Sequence, residues 1–367
     1  MQQHSERLHE LRSRMSDVNK EIMKNFNEFF RISNEIGEVK DVMNLPHFDP
    51  VRESQMLKEI LTENKGPMSQ DMMKRIFKEV FKASVEEMGV GSRKKLRVNR
   101  LPDSEDLIIS INGIDIGGNK PVMIAGPCSV EDQKQIYTTA KKLKELGIEI
   151  LRGGAFKPRT SPYSFQGLEE EGLRILREVA DELKMAVITE VLSVRDVPLV
   201  AKYADILQVG TRNMFNYFLL KELGKQSRPV LLKRGFMATI DEFILAAEYI
   251  YVGGNTKIVL CERGIRTFET QTRNTLDISC IPILKKETRL PIIVDVSHSL
   301  GRKDIIKPIA RAVLAAGADG LMFESHYNPA IALSDSGQQL DLKETEELIA
   351  YMGNLTQFRK DSAELST

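Results

Sequence analysis

From about residue 107 onward, the chain alternates short apolar segments with amphipathic, helix-period segments, and this alternation constrains its fold more than any other feature. The eight apolar segments are Val122–Ala125, Ile150–Arg152, Ala186–Thr189, Ile206–Val209, Val230–Leu232, Ile258–Leu260, Ile292–Val294 and Gly320–Phe323. Each has the length of a buried strand and is followed by a helical pattern. Eight evenly spaced βα units predict an α/β fold closed into a (β/α)8 TIM barrel; an open doubly wound sheet is the alternative. A short hairpin, Leu107–Ile111 with Ile114–Ile116, is expected before the first unit.

The first 88 residues follow a different period. Apolar residues recur at three- and four-residue steps from Leu8 to Val39, which is typical of one long amphipathic helix. A second helix is predicted from Pro50 to about Asn64, with Asp49 as its N-cap, and a third opens at Ser69. Two short partners cannot cover the apolar stripe of a helix of roughly 38 residues, so this three-helix domain is expected to dimerise.

Domain limits and composition narrow the class of protein. We expect a helical domain over residues 1–88, a basic linker over 89–105 and the barrel over 106–367. Lys+Arg and Asp+Glu both number 52, so no net field indicates a nucleic acid or membrane partner. No apolar run approaches the roughly 18 residues of a spanning helix. Three cysteines without framework spacing favour a reducing, cytoplasmic setting.

Chemically active side chains of the barrel half fall directly after the predicted strands. They are Cys128, Arg152, Lys157, Glu190, Arg212, Lys233, Arg234, Glu262, Arg263, Asp295, His298 and Glu324. Barrel enzymes build their active sites at the carboxyl ends of the strands. The sequence therefore predicts an active site to which all eight strands contribute.

Two sets of residues are mixed at that end. The first is cationic: Arg152, Lys157, Arg159, Arg212, Lys233, Arg234 and Arg263. Any single Lys or Arg is usually a surface ion-pair partner. Seven at strand ends would repel one another, and this favours the binding of phosphate and carboxylate groups.

The second set combines a thiol, an imidazole and two carboxylates: Cys128, His298, Glu324 and Asp335. Alone, a cysteine is more often simply buried and a histidine a satisfied core or surface group. Together, after strands one, seven and eight, they predict a divalent transition-metal site, for which manganese, iron, zinc and cobalt are all open. His326 is interpreted as a residue of the outer shell or substrate loop, and Cys261 and Cys280 as inert core thiols.

Long motifs in the barrel half resemble type Iβ 3-deoxy-D-arabino-heptulosonate-7-phosphate (DAHP) synthases. They are Gly126-Pro127-Cys128-Ser129, the run from Leu151 to Pro162, Leu231–Gly235, Cys261–Thr267, Asp295–Ser299 and Ala332–Asp335. The sister 3-deoxy-manno-octulosonate-8-phosphate synthases typically carry Ala-Asn-Arg-Ser where this chain has Pro158-Arg159-Thr160-Ser161. The resemblance therefore implies erythrose 4-phosphate as the aldehyde substrate, in the first step of the shikimate pathway.

The same resemblance implies roles for individual residues. Phosphoenolpyruvate would be held by Arg152, Lys157, Arg212, Lys233 and Arg263, with Arg234 in the same cationic set and Glu190 alongside. Arg159 and Thr160 match the positions that bind the aldose phosphate, and Cys128, His298, Glu324 and Asp335 match the metal ligands. Lys157, Glu190 and His298 are the candidates for proton transfer. A homotetramer or a homodimer is expected.

The helical domain resembles all-helical chorismate mutases, with matching residues at Arg12, Lys40, Asp49, Arg52 and Glu53. Where that family has an arginine after the glutamate of helix one, this chain has Phe29. Arg31 cannot substitute, because at about 3.6 residues per turn Phe29 faces the same way as Lys40 and Arg31 faces the opposite way. We expect a regulatory domain with weak or no mutase activity and with chorismate or prephenate as effector. A fully bifunctional enzyme is the alternative.

Overall fold

The structure, a computed structural model, describes residues 2–43, 45, 47–93, 96–101, 104–157, 161 and 163–353. The chain divides into two compact units, Met1–Leu96 and Arg97–Thr367. Each unit has its own architecture. In the described part of the chain, no helix combines the length and apolarity needed to cross a membrane.

The first unit consists of three helices, as predicted: α1 (Gln2–Val42), α2 (Pro50–Glu63) and α3 (Gln70–Arg93). Asp49 caps α2 by accepting hydrogen bonds from the backbone N–H groups of Val51 and Arg52, and Pro50 occupies the first turn, where its missing N–H costs nothing. Along α1, the predicted row of apolar side chains is present, and in the single chain it is exposed to solvent. Leu8, Leu11, Met15, Val18 and Ile22 are all between 44% and 61% exposed.

The linker over 89–105 stays a prediction, and the structure describes ordered elements at both of its ends. Helix α3 continues to Arg93, because Gly89 and Gly91 each cost only about 1 kcal/mol in a helix and do not by themselves end one. At the other end, Val98 is buried and Asn99 forms a bridge with Thr288, so the barrel unit already begins at residue 97.

The second unit is a closed parallel barrel, as predicted, preceded by the hairpin β1 (Ile109–Ile111) and β2 (Ile114–Ile116). The barrel strands are β3 (Val122–Gly126), β4 (Ile150–Arg152), β5 (Ala186–Val191), β6 (Ile206–Val209), β7 (Val230–Lys233), β8 (Ile258–Glu262), β9 (Ile292–Asp295) and β10 (Gly320–Glu324). The surrounding helices are α4 (Gln133–Glu145), α5 (Glu169–Glu182), α6 (Val197–Tyr203), α7 (Tyr217–Gly224), α8 (Ile240–Val252), α9 (Cys280–Glu287), α10 (Val296–Leu300), α11 (Ile306–Ala315) and α12 (Leu342–Met352). Closure comes from five parallel pairs between β10 and β3, which an open sheet would lack.

Branched aliphatic side chains from alternate strand positions fill the barrel interior. Ile124, Ile150, Ile206 and Ile293 belong to one buried cluster, which also includes the hairpin residue Ile116. The hairpin packs at the amino ends of the strands and closes that end with apolar groups. The opposite end is left for polar chemistry.

Candidate active site

A cavity of about 340 Å³ lies at the carboxyl ends of the barrel strands. Its lining is almost entirely polar and comprises Arg152, Lys157, Ser161, Ser164, Glu190, Gln208, Gly210, Thr211, Arg212, Lys233, Phe236, Arg263, Arg273, His298 and Asp335. Five of the seven predicted cations are in this set. So are all three candidates for proton transfer, Lys157, Glu190 and His298. The structure therefore assembles most of the predicted site in one place.

Two of the cavity cations are buried and paired at the strand ends. Lys233 forms a short ion pair with Asp295, and both side chains are at most 5% exposed. Arg152 lies 3.1 Å from Oε1 of Glu324. Burial opposes the ionised form of Asp295, but His298, Lys233 and Arg152 outweigh it and hold the pKa of Asp295 well below its usual range. Each of these two buried cations is thus paired with a buried carboxylate.

Three of the four predicted metal ligands converge beside the cavity. Cys128, Glu324 and Asp335 each offer a ligand atom, and these atoms lie within 4.8 Å of one another. Sγ of Cys128 is 3.5 Å from Oδ2 of Asp335. Asp335 adopts a φ of +47°, a left-handed conformation that aspartate tolerates better than most residues. That backbone turn directs its carboxylate towards the thiol.

His298, the fourth predicted ligand, lies next to this cluster rather than within it. Its Nε2 is 3.5 Å from Oε1 of Glu324. Its Nδ1 is 2.8 Å from Oδ2 of Asp295, which fixes the ring and, with the proton on Nδ1, leaves Nε2 as a lone-pair donor. Burial lowers the pKa of His298 although Asp295 and Glu324 oppose the shift, so the neutral imidazole that a metal requires is favoured.

The donor set fits a divalent metal on its own chemistry. Glu324 is fully buried, and no described residue donates a hydrogen bond to its Oε1. The contact between this oxygen and Arg152 is an ion pair. Burial and the nearby Glu324 carboxylate raise the pKa of the Cys128 thiol to about 12, so a thiolate there needs a strong cation beside it. A soft sulfur with nitrogen and oxygen donors favours a transition metal over magnesium or calcium.

Lys157 lies between the cavity and the cluster of predicted metal ligands. Its Nζ donates to the carbonyl of Cys128 at 2.8 Å and lies 3.1 Å from Cys128 Sγ. The neighbouring Gly154 permits this approach, since a Cβ there would lie 2.9 Å from Cδ of Lys157. The ammonium is therefore placed where it can reach both a substrate in the cavity and a group held by the cluster.

Glu190 enters the cavity from the end of β5, beside Gln208 of β6. The Gln208 amide donates to Oε2 of Glu190 at 3.4 Å. The carboxylate lies directly over Gly210, where an added Cβ would be 1.9 Å from its Oε1. Only a glycine leaves room for the acid in this position.

Arg234, which was predicted to bind substrate, is not among the residues that line the cavity. Its guanidinium does not line the cavity; it pairs with Glu262 at 3.0 Å and Asp277 at 2.9 Å and donates to the carbonyl of Ala238. Lys233 and Arg234 are adjacent at a strand end, so their side chains point to opposite faces, and only Lys233 points inward. Arg234 braces the loop after β7 instead.

Other predicted residues have different outcomes. Arg159 and Thr160, assigned to the aldose phosphate, lie outside the described residues. His326 is fully buried, with Nδ1 accepting from the backbone N–H of Asn328, and is not among the cavity residues. Cys261 and Cys280 are free and buried, as expected of core thiols.

Sequence reasoning missed several residues of the site. Gln208 could have been noticed, because it is a polar residue inside the apolar segment of β6. Gln338 and Gln339 had no such signal: they lie in a loop, yet Gln338 donates to Oε2 of Glu324 at 2.6 Å and Gln339 accepts from the backbone N–H of Cys128 at 2.9 Å. Each glutamine therefore forms a hydrogen bond with a residue predicted to bind the metal.

In the helical unit, the residues that resemble a mutase pocket do not meet within one chain. Arg12 and Lys40 are 28 residues apart on α1, about 42 Å along its axis at about 1.5 Å per residue. Lys40 donates to the carbonyl of His47 at 2.8 Å, and Asp49, Arg52 and Glu53 lie at the start of α2. A pocket that uses both ends of α1 therefore needs a second copy.

Phe29 is part of the apolar packing of the helical unit. Its ring stacks on Phe81 of α3 with centroids 6.4 Å apart. Arg31 points to the exposed face, where it pairs with Glu28 and Glu35 at 2.7 and 3.1 Å. The structure thus agrees with the inference that Arg31 does not replace the cation missing at Phe29.

Comparisons with known proteins find matches to both units. Residues 103–361 match the model of the DAHP synthetase I family, and residues 11–88 match chorismate mutase type II. Phospho-2-dehydro-3-deoxyheptonate aldolase of Thermotoga maritima is 56% identical over 258 residues, covering 70% of this chain and 76% of that protein. A 2-dehydro-3-deoxyphosphooctonate aldolase of Geobacter sulfurreducens is 32% identical over 263 residues, or 66% and 94%.

Solved structures give the same result. The crystal structure of the Thermotoga maritima DAHP synthase matches with a TM-score of 0.69 at 55% identity, covering 71% of this chain and 76% of that one. A truncated form of 3-deoxy-D-arabino-heptulosonate 7-phosphate synthase from the same organism matches with a TM-score of 0.66 at 51% identity, covering 71% and 95%. With a matching barrel, a matching family model and a carboxyl-end cavity rich in cations, the chain belongs to the DAHP synthetase I family.

Proposed function

We propose that this chain is a metal-dependent DAHP synthase, which condenses phosphoenolpyruvate with erythrose 4-phosphate to give DAHP and phosphate. The observation that carries the proposal is the cavity itself, where six cationic side chains, Arg273 among them, meet beside a thiol, carboxylate and imidazole cluster. The identity to a heptonate aldolase, 56%, well exceeds the 32% to an octonate aldolase. This difference supports erythrose 4-phosphate over a five-carbon aldose phosphate.

Phosphoenolpyruvate fits the cationic part of the cavity. It carries a phosphate and a carboxylate, and Arg152, Lys157, Arg212, Lys233 and Arg263 offer five cations to these two groups. Charge-assisted hydrogen bonds from these cations would hold both ends of a small planar acid. The enol carbon would thereby be presented to an aldehyde entering from the cluster side.

The cluster of Cys128, His298, Glu324 and Asp335 would hold a divalent metal, with manganese as our first choice. Such a metal supplies Lewis acidity to the aldehyde oxygen of the second substrate. Carbon 3 of phosphoenolpyruvate forms the new bond to the aldehyde carbon. Water then adds at carbon 2, and phosphate leaves with cleavage of its carbon–oxygen bond.

Lys157, Glu190 and His298 are the groups we assign to proton transfer in these steps. Lys157 lies between cavity and cluster, so its ammonium can protonate the oxygen that gains charge at the aldehyde. Glu190 lies across the cavity, where its carboxylate can take the proton of the attacking water. Arg159 and Thr160 are assigned to the phosphate of the aldose. The free thiol that the cluster requires suits a reducing cytoplasm.

A steady-state comparison tests the proposal. We expect turnover with erythrose 4-phosphate to exceed that with arabinose 5-phosphate by orders of magnitude, and to disappear after chelation and return with a divalent transition metal. Preference for arabinose 5-phosphate would assign the chain to the octulosonate branch. Full turnover in chelator would refute the metal site.

For the helical unit, we propose pairing with a second copy and a regulatory role with weak or absent mutase turnover. The open stripe of α1 and the separation of Arg12 from Lys40 both support pairing. Phe29 removes one of the cations that a dicarboxylate needs, and an unpaired buried charge costs about 2–5 kcal/mol. The remaining Arg12, Lys40 and Arg52 would bind chorismate or prephenate as an effector.

Two measurements test this role. Mutase turnover of the wild type is compared with that of Phe29→Arg, which we expect to be faster; brisk wild-type turnover would instead favour the bifunctional alternative. The synthase rate is then measured with added prephenate in the wild type, in Lys40→Met and in the control Lys58→Met, an exposed lysine of α2. An unchanged prephenate response in Lys40→Met would refute the effector pocket.

A further inference from the structure

Phe236, the aromatic residue in the cavity lining, is surrounded by guanidinium groups. The Cζ atoms of Arg212, Arg263 and Arg266 lie 5.6, 4.8 and 4.4 Å from the centroid of its ring. A guanidinium within about 6 Å of a ring centroid is attracted by the negative π face. One ring therefore contacts three cations, two of which line the cavity.

In the described part of the chain, the positive charges of these three arginines are not balanced by the ion pairs with carboxylates that buried cations usually form. Among the described residues, none of the three forms an ion pair with a carboxylate within 4.0 Å, whereas Arg152 and Lys233 in the same cavity both do. Arg263 instead donates to the carbonyls of Gly264 and His298. Burial lowers the pKa of Arg263 only to about 10, so it remains charged at neutral pH. The ring of Phe236 is thus the group of opposite polarity that the three share.

Contacts of the loop after β7 hold the backbone that carries the ring. The carbonyl of Phe236 accepts the backbone N–H of Arg266 at 2.8 Å, which joins the loops after β7 and β8. Arg234, two residues earlier, braces the same loop through Glu262 and Asp277. A ring held in this way can orient the long side chains around it, and Arg212 is exposed, so burial does not fix its direction.

We infer that Phe236 is a positioning residue for phosphoenolpyruvate, whose ring holds Arg212 and Arg263 apart and aimed into the cavity before the substrate arrives. The inference rests on the proposed assignment of those two arginines to phosphoenolpyruvate. Without the ring, the two cations would have to be ordered against their mutual repulsion as the anion binds. The contribution of the ring is therefore to affinity for this one substrate rather than to the chemical step.

The size of the effect follows from the interaction. A single cation–π contact corresponds to about a two- to thirtyfold change in an equilibrium constant. For Phe236→Leu in the metal-loaded full chain, we expect the Kd and KM of phosphoenolpyruvate to rise roughly five- to thirtyfold. The kcat and the KM of erythrose 4-phosphate should stay within about twofold, and Phe236→Tyr, which keeps the ring, should behave like the wild type. Unchanged phosphoenolpyruvate affinity in Phe236→Leu, or equal rises in both KM values, would overturn the inference.

A fluorination series separates ring electrostatics from packing. Mono- and trifluorophenylalanine inserted at position 236 keep the shape of the ring while weakening its negative face. The Kd of phosphoenolpyruvate, measured by calorimetry without the aldose, should rise stepwise with fluorine content, even if Phe236→Leu folds poorly. A flat series would show a packing role, and a falling Kd would show direct ring–substrate contact; either outcome rejects the inference.

Arg212→Met distinguishes failure of this inference from failure of the proposed function. If Arg212→Met weakens phosphoenolpyruvate binding and the fluorination series is flat, the substrate site stands and only the role of the ring is rejected. If Arg212→Met binds phosphoenolpyruvate as tightly as the wild type, the assignment of Arg212 fails and the inference fails with it. A weakened Arg212→Met together with a rising series supports both.

Discussion

Gly210 offers a direct test of the place of Glu190 in the site. It follows β6 with φ −68° and ψ 157°, a backbone conformation that alanine adopts without strain. In Gly210→Ala, the new Cβ would lie 1.9 Å from Oε1 of Glu190. An ordinary contact begins near 3.4 Å, so the carboxylate must move by about 1.5 Å.

The consequence should appear in catalysis and not in folding. The atom displaced is the end of a flexible side chain in an open cavity, so it can move without disturbing the barrel. A misplacement of about 1 Å in a catalytic group can cost roughly a hundredfold in rate. We therefore expect kcat/KM to fall about a hundredfold, equivalent to about 2.7 kcal/mol of transition-state stabilisation, while Tm stays close to that of the wild type.

The assay follows consumption of phosphoenolpyruvate under saturating erythrose 4-phosphate, with Tm measured on the same samples. Gly337→Ala is the matched control, because it lies beside the same site and its added Cβ would meet nothing within 4 Å. We expect this control to keep wild-type activity and stability. A Gly210→Ala enzyme within threefold of wild type would show that the Glu190 carboxylate is not needed where the structure places it.

Three further predictions concern the remaining parts of the site. Arg234→Met should lower the free energy of unfolding by about 3–5 kcal/mol, because it leaves the buried Glu262 carboxylate unpaired, with little change in the KM of phosphoenolpyruvate; a large rise in KM at unchanged Tm would return Arg234 to the substrate site. Cys128→Ala should abolish turnover and metal content while circular dichroism stays unchanged, and full activity in chelator-treated buffer would contradict this. Arg159→Ala should raise the KM of erythrose 4-phosphate roughly ten- to hundredfold, the value of a charge-assisted contact, and equal effects on both substrates would refute its assignment.

The strand ends show which parts of the fold and the site can be predicted from the sequence. Eight apolar segments followed by helical patterns predict the barrel, because burial on both faces and the period of the helices are local properties of the chain. The carboxyl end of each strand is equally local, so the sequence alone places Cys128, Arg152 and Glu324 near one another. Asp49 as a helix cap was predictable for the same reason.

The sequence does not determine the direction in which a side chain points at a strand end. Lys233 and Arg234 are adjacent cations, and the strand period of two sends them to opposite faces. Which one faces the cavity depends on the register in which β7 pairs with β8. It also depends on Glu262 and Asp277, which form ion pairs with Arg234 away from the cavity. A single sequence carries neither fact.

Contacts between loops of distant sequence position were also beyond reach. Gln338 and Gln339 support the cluster from a loop without any recognisable pattern, and Phe236 meets three arginines from two other strand ends. The sequence by itself determined the barrel, its chemical end and the residue types gathered there, because period and strand order are written along the chain. Only the tertiary structure decided which of those residues face one another, because closing the barrel brings together side chains that lie far apart in the sequence.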